Sequence, residues 1–135
     1  MGVEQLQRPR SDGSVRRTAL VKLRGGGEEG VGEEVTFQTA DVLSPAPSPG
    51  ENLLQRRIPW AGLRTLQNLW AALDTADLFP QPPRWDVVRS YRRWAIEAAA
   101  LDLALRQAAT TLPASLGRDP SPLRFVASPP RGWVG

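Results

Sequence analysis

A glycine-rich run near the N-terminus is the first stretch with residue types that could do chemistry. Gly25, Gly27 and Gly30 satisfy the spacing of the dinucleotide-binding fingerprint GxGxxG. That fingerprint binds phosphate only where a helix begins after the last glycine and directs its N–H groups at the anion. Here a strand-like segment follows instead, and neighbouring glutamates would repel phosphate. The sequence therefore favours a turn over a phosphate-binding loop.

Four glutamates flank the same glycines and could in principle ligate a hard cation such as Mg²⁺. They form two adjacent pairs, Glu28–Glu29 and Glu33–Glu34. Because neighbouring strand residues point to opposite faces of a sheet, members of one pair cannot easily converge on one ion. We expect a solvated hairpin end here.

The chain has no His and no Cys, which removes Ser–His and Cys–His dyads, the usual zinc sites and any disulfide framework. These absences remove much of the ordinary catalytic repertoire.

Arginines and tryptophans supply an alternative, a small nucleic-acid- or partner-binding module. The net charge is only +3, and no recognised binding motif accompanies the basic residues, so nucleic acid is an unlikely partner. The set on which this alternative rests is Arg8, Arg10, Arg16, Arg17, Arg92, Arg93, Trp85 and Trp94.

The elements that would position these residues begin with the stretch over residues 91–117, which contains the predicted central helix. Apolar residues recur in it at steps of four and three, which predicts one continuous apolar face and a largely buried helix that ends at Pro113. The members of this stripe are Trp94, Ala98, Leu101, Leu105, Ala108 and Leu112.

The other segments complete an α+β prediction, in which a small antiparallel hairpin precedes a helical bundle. Two β-rich runs flank the glycines, a second helix is expected over residues 60–74, and Leu123–Ala127 reads as a buried strand with no partner after it. We predict a flexible basic arm over residues 1–17, a domain over 18–117, and a linker with one strand over 118–135. With 135 residues, no membrane-length apolar run and no signal peptide, a cytoplasmic location is expected.

In this order of elements the chain resembles the N-terminal capping domain of the enolase superfamily, in its mandelate racemase and muconate-lactonizing branch. The likeness rests on a strand followed by GxGE, an alanine-rich AIEAAALDLAL helix and an LPxxLG exit. The residues that carry these motifs are Gly30, Gly32, Glu33, Glu97, Asp102, Leu116 and Gly117.

The resemblance implies a substrate-covering domain of a racemase, cycloisomerase or dehydratase, severed from its (β/α) barrel and catalytically inactive alone. Residues 123–127 would then be the first barrel strand, and Mg²⁺ would belong to the parent enzyme, not to this fragment. By the layout of that family, no residue of this chain corresponds to a catalytic, metal-binding or cofactor-binding residue, and the sole lysine, Lys22, lies in the hairpin and is not a candidate base. The implied partners are the chain's own barrel domain or a barrel in trans. A free-standing regulatory subunit is the further alternative. Self-association through the exposed apolar face, including Phe125, Val126 and part of the central helix, is also expected.

Overall fold

A computed structural model of the chain describes residues 1–9, 13, 15–35, 53, 58, 65–79, 82–83 and 86–124. Over these residues the protein is an α+β domain with a three-stranded antiparallel sheet of order β1-β2-β3 followed by helices, which confirms the predicted fold class. The elements in chain order are β1 (Gly2–Pro9), β2 (Val15–Gly25), β3 (Glu28–Glu34), α1 (Leu66–Thr75), α2 (Asp86–Gln107) and α3 (Leu112–Ser115).

Strands β2 and β3 form a hairpin as predicted, but its turn is shorter than predicted, because residues 28–32 of the glycine-rich run belong to strand β3. Their two-residue turn is Gly26–Gly27, and both residues have positive φ, +58° and +85°. Positive φ at both central positions is what a type I′ turn requires, and its twist matches that of the flanking strands. The GxGxxG spacing thus encodes a hairpin turn, and a strand rather than a helix follows it.

Strand β1 corrects the prediction of a flexible arm over residues 1–17. It pairs with β2 along its whole length, from Gly2 opposite Lys22 to Pro9 opposite Val15. The polar composition of this segment led to the wrong prediction, because an edge strand can expose most of its side chains to water and still be held by main-chain pairing. Val3 packs against the core, while most other β1 side chains are exposed.

The core lies between the sheet and helix α2. Val21 and Leu23 point from β2 towards Ala95, Ile96 and Ala99 of the helix. Helix α2 lies directly on strand β3, because β3 presents Gly30 and Gly32 there. A Cβ atom at Gly32 would lie 2.0 Å from the carbonyl oxygen of Ala95, and one at Gly30 would lie 2.2 Å from that of Ala99. Glycine is required at these positions for the close approach.

The face of α2 that is buried is not the predicted one. The sheet covers a face formed by Val88, Ala95, Ile96 and Ala99, whereas Trp94 is 62% exposed. The reason is geometric, since the backbone of α2 at Ala95 and Ala99 lies directly against the glycines of β3, where a tryptophan would not fit. The predicted buried stripe therefore lies on the outside of the domain.

Helix α2 also ends earlier than predicted. Its last residue is Gln107, and Ala109 follows with φ of +48°. The N–H of Thr110 donates to the carbonyl of Leu105, which closes the helix end in the left-handed manner usual at C-termini. Pro113 does not end the helix as predicted; it lies in the first turn of the separate helix α3, where its missing N–H costs nothing.

Two further predictions lie partly outside the described residues. Helix α1 starts at Leu66 after an N-cap at Thr65, whose hydroxyl accepts from the N–H of Asn68, so residues 60–64 of the predicted helix are not described. Of the proposed barrel strand, Leu123 and Arg124 are exposed and lie outside any strand, and residues 125–127 are not described. The predicted first barrel strand therefore remains untested.

Candidate functional site

A buried ion pair fixes the N-terminal half of helix α2 on the sheet. The guanidinium of Arg92 donates from Nε to Glu34 Oε1 at 3.1 Å and from a terminal nitrogen to the carbonyl of Leu78 at 2.9 Å. The guanidinium carbon, Cζ, also lies over the ring of Phe79, 4.0 Å from its centroid. Both charged side chains are fully buried, so each depends on the other for compensation. The contact joins β3, α2 and the segment after α1.

Two polar contacts fix the C-terminal half of α2 on the hairpin. The backbone N–H of Val31 donates to Asp102 Oδ2 at 2.9 Å, and Gln107 donates to the carbonyl of Gly25 at 2.9 Å. The Val31 bond, and secondarily Arg106, lowers the pKa of Asp102 below its ordinary value. With the glycine contacts, these bonds hold α2 in one orientation, so the side chains on its outer surface have fixed positions.

The outer surface joins helices α1 and α2 in what we call the apolar face. Trp94 is 62% exposed and Trp70 is 43% exposed, which is unusual for the largest apolar side chains of a small domain. Ala98 is also exposed, and two leucines are half-buried beside these residues. The apolar face is formed by Leu66, Trp70, Trp94, Ala98 and Leu101.

A groove of about 370 Å³ runs along this face between the two helices. Glu97 is its one ionisable lining residue among the described part of the chain. Tyr91 supports Trp94 from the preceding turn, with ring centroids 6.1 Å apart and planes tilted by 58°. Trp94 therefore both lines the groove and protrudes beside it.

The charges at the edge of the apolar face are paired within the chain. Arg93 bridges the two helices, since it contacts Asp74 of α1 and donates to Glu97 Oε1 at 2.7 Å. Both contacts raise the pKa of Arg93, the one with Asp74 more. One arginine is shared by two carboxylates, so this edge has an excess of one negative charge, and a ligand on this face would meet apolar surface with one weakly acidic edge.

A second concavity, of about 440 Å³, lies between the end of β2, the start of α1 and helix α2. Leucines and alanines form its floor. Its polar lining includes Arg24, which pairs with Glu29, and Gln107, which donates to Gly25. Because these groups already have partners in the fold, they do not converge on an empty position as the polar groups of a ligand site do.

The residues singled out by motif have structural roles in several different places. Gly30 and Gly32 admit the helix backbone, Glu97 pairs with Arg93, and Asp102 accepts from the hairpin. Glu33 and Leu116 are exposed, and Gly117 has φ of +62° at the end of α3. The structure does not bring these seven residues together into one site.

The four glutamates of the hairpin alternate between the two faces of the sheet as predicted, but the expected solvated hairpin end is wrong for Glu34, which is buried. Glu29 pairs with Arg24, Glu34 is buried with Arg92, and Glu28 and Glu33 are exposed. Over the described ranges, no group of three or more His, Cys, Asp or Glu side chains is close enough to hold a metal ion.

The arginines and tryptophans on which the alternative of a nucleic-acid- or partner-binding module rests do not form one patch either. Arg92 is buried, and Arg93 is paired beside Trp94. Arg8 and Arg16 lie opposite each other at the far end of the β1–β2 pair, while residues 10 and 85 are not described.

Sequence reasoning predicted that part of the central helix is exposed but assigned the stripe through Trp94 to the buried side, although one signal for the correct assignment was present. Helix α2 carries two apolar stripes, one through Ala95 and Ala99 and the other through Trp94 and Leu101. A single sheet can cover only one side of a helix, so a second stripe must either meet another element or remain exposed.

Comparison with known protein families corrects the resemblance to the enolase superfamily. A family described as "Domain of unknown function (DUF8230) N-terminal domain" matches residues 1–115, and the chain belongs to that family. No enolase family matches, so the assignment to that superfamily was wrong. The features behind that resemblance, GxGE and an alanine-rich helix, allow a helix to pack closely on a strand, and unrelated α+β domains can have the same need.

No curated protein and no solved structure matches the chain. Within the described residues, no helix is long and apolar enough to cross a membrane.

Proposed function

We propose that this DUF8230 N-terminal domain is a protein-binding module that engages its partner through the apolar face of helices α1 and α2. The observation that carries the proposal is the 62% exposure of Trp94 on a helix whose opposite face is fully packed. Tryptophan is the residue type most enriched among the side chains that dominate binding energy at protein interfaces. An exposed pair, Trp70 and Trp94, beside a groove is the arrangement such an interface uses.

The rigidity of the face supports the same proposal. Helix α2 is held on the sheet by direct backbone contact at Gly30 and Gly32 and by the buried Arg92–Glu34 pair. A surface that keeps one shape before binding loses little conformational entropy when its partner arrives. The domain therefore functions as a scaffold for the face.

The charge distribution favours a protein over a nucleic acid as the partner. Binding to a phosphate backbone needs arginines that are free to displace counterions. Here the arginine nearest the exposed tryptophans, Arg93, is engaged by Asp74 and Glu97. The arginines at the other end of the sheet have no tryptophan beside them within the described residues. A neutral, apolar protein surface fits the face better.

Site-specific photo-crosslinking in the source cell tests the proposal. A photoreactive phenylalanine analogue placed at Trp94 should give a discrete adduct with a protein, because the residue lies at the centre of the proposed interface. The same analogue at Leu123, which is exposed but lies outside the helices, is the matched control. An additional Leu101→Arg substitution should abolish the Trp94 adduct, since it places a charge in the groove.

The proposal fails if the analogue at Trp94 gives no adduct beyond that at Leu123. It also fails if the adduct persists unchanged with Leu101→Arg, because the crosslink would then not depend on the apolar face.

A further inference from the structure

The net positive charge of the chain is concentrated at one end of the β1–β2 pair. Residues 6–18 contain four arginines and one aspartate, which together equal the net charge of +3 of the whole chain. The rest of the chain therefore has equal numbers of basic and acidic side chains. The same small charge that would be weak when spread over a domain creates a local positive potential when it lies at one end.

This end of the β1–β2 pair is a two-stranded ribbon that continues beyond the third strand. The pairing of β2 with β3 ends at Ala19, whereas the pairing of β1 with β2 continues to Pro9 opposite Val15. We call this part, residues 6–9 and 15–18, the arginine ribbon. Its six outermost side chains are exposed, so they contribute little to the core of the domain.

The three arginines of the arginine ribbon have no acidic partner within the described residues. They are Arg8, Arg16 and Arg17, whereas the basic residues at the other end of β2 each pair with a glutamate. Arg8 and Arg16 also lie directly opposite each other in the strand register. Like charges in that arrangement destabilise the pairing of two strands. A bound anion would remove this repulsion.

The placement of the arginines suits the major groove of a DNA duplex. Because successive strand residues point to opposite faces, Arg8 and Arg16 share one face of the arginine ribbon and Arg17 lies on the other. A flat membrane or a single extended acidic peptide would meet only one of these faces. The major groove of B-form DNA is about 12 Å wide and admits a two-stranded ribbon between its two phosphate backbones. The planar guanidinium of arginine also matches the geometry of a phosphate group.

We propose that the arginine ribbon binds double-stranded DNA, with Arg8, Arg16 and Arg17 contacting phosphates along the major groove. This function goes beyond protein binding by the apolar face, because it uses a different surface. Nucleic acid is an unlikely partner for a net charge of +3 taken over a whole chain, but the strand register brings that charge onto one ribbon. Three phosphate contacts give weak binding that does not depend on DNA sequence, with a dissociation constant of about 10⁻⁴ M at physiological salt.

Fluorescence anisotropy of a short labelled DNA duplex tests the proposal on the full chain, between about 50 and 200 mM salt. A plot of the logarithm of the binding constant against the logarithm of the salt concentration should have a slope of about −2.7, since each phosphate contact contributes about −0.9. Arg16→Gln should reduce the slope to about −1.8 and weaken binding about 10-fold at the lowest salt.

The matched control is Arg24→Gln, which removes an exposed arginine of the same strand that is already paired with Glu29. This variant should bind DNA as the wild type does. Arg16→Gln should not lower the melting temperature, because it removes the repulsion between Arg8 and Arg16. Weaker DNA binding by that variant then reports a lost contact and not a lost fold.

Three results would overturn the proposal. The first is the absence of DNA binding at the lowest salt, and the second is an equal loss of binding in Arg16→Gln and Arg24→Gln, which would indicate attraction to charge in general. The third is Arg16-dependent binding to phosphatidylserine vesicles or to polyglutamate without binding to the duplex, which would identify a membrane or an acidic protein as the partner. The crosslink at Trp94 should be unchanged by Arg16→Gln, so the two proposed functions stand or fail separately.

Discussion

Replacing Gly32 with alanine should destabilise the domain, although the same change in most strands is neutral or stabilising. The backbone of Gly32 does not need a positive φ, so the variant meets no conformational penalty. The new Cβ would lie 2.0 Å from the carbonyl oxygen of Ala95 and 2.8 Å from the N–H nitrogen of Ala99. Ordinary contact begins at 3.4 Å, so α2 must move away by about 1.4 Å, the difference between 3.4 and 2.0 Å.

The expected cost is about 3 kcal/mol, the upper end of the range for overpacked cores, because the obstructing atoms are backbone and cannot rotate away. That cost corresponds to a fall in melting temperature of roughly 10 °C for a domain of this size. Urea unfolding followed by circular dichroism measures it. All samples should be at one low protein concentration, because self-association would add apparent stability.

Two variants test the reasoning behind this number. Gly2→Ala is the matched control, since its Cβ would meet only Lys22 Cβ at 3.8 Å, and its stability should stay within about 0.5 kcal/mol of wild type. Ala95→Gly should not rescue Gly32→Ala, because the obstruction is a carbonyl oxygen that glycine retains. If the free energy of unfolding of Gly32→Ala lies within about 0.5 kcal/mol of the wild-type value, then α2 does not rest on the strand backbone as described.

Three further perturbations have defined outcomes. Arg92→Met should cost about 3–5 kcal/mol in urea unfolding by leaving Glu34 buried without its ionic partner, and adding Glu34→Met should recover much of that loss. Asp102 has a lowered pKa in the fold, so its stabilising contribution is present above the ordinary carboxyl pKa near 4 and is lost as the pH falls through the folded value. Asp102→Asn should therefore flatten the acid limb of a stability-versus-pH curve. Ala109→Gly should raise the melting temperature, with a gain of about 0.5–1 kcal/mol, because glycine adopts its φ of +48° without strain.

Features that depend on neighbours along the chain can be predicted from local sequence. Two consecutive glycines between β-rich runs specify the hairpin, because Gly26 and Gly27 tolerate the positive φ that its turn needs. Apolar periodicity specifies α2 as a helix. Local sequence does not show that Glu34 and Arg92 form an ion pair, because they are far apart along the chain.

Which stripe of α2 is buried depends on packing against distant segments of the chain. Both stripes are apolar and both have helical spacing, so the local pattern does not show which of them is buried. The choice depends on fit between distant segments, since the alanines match the glycines of β3 whereas Trp94 would not fit there. The strand at residues 2–9 was likewise undetermined locally, because its polar side chains are held by main-chain pairing with β2 rather than by burial. The apolar face has the same origin: the sheet packs against the side of α2 that carries the smaller side chains, so the other apolar stripe stays exposed.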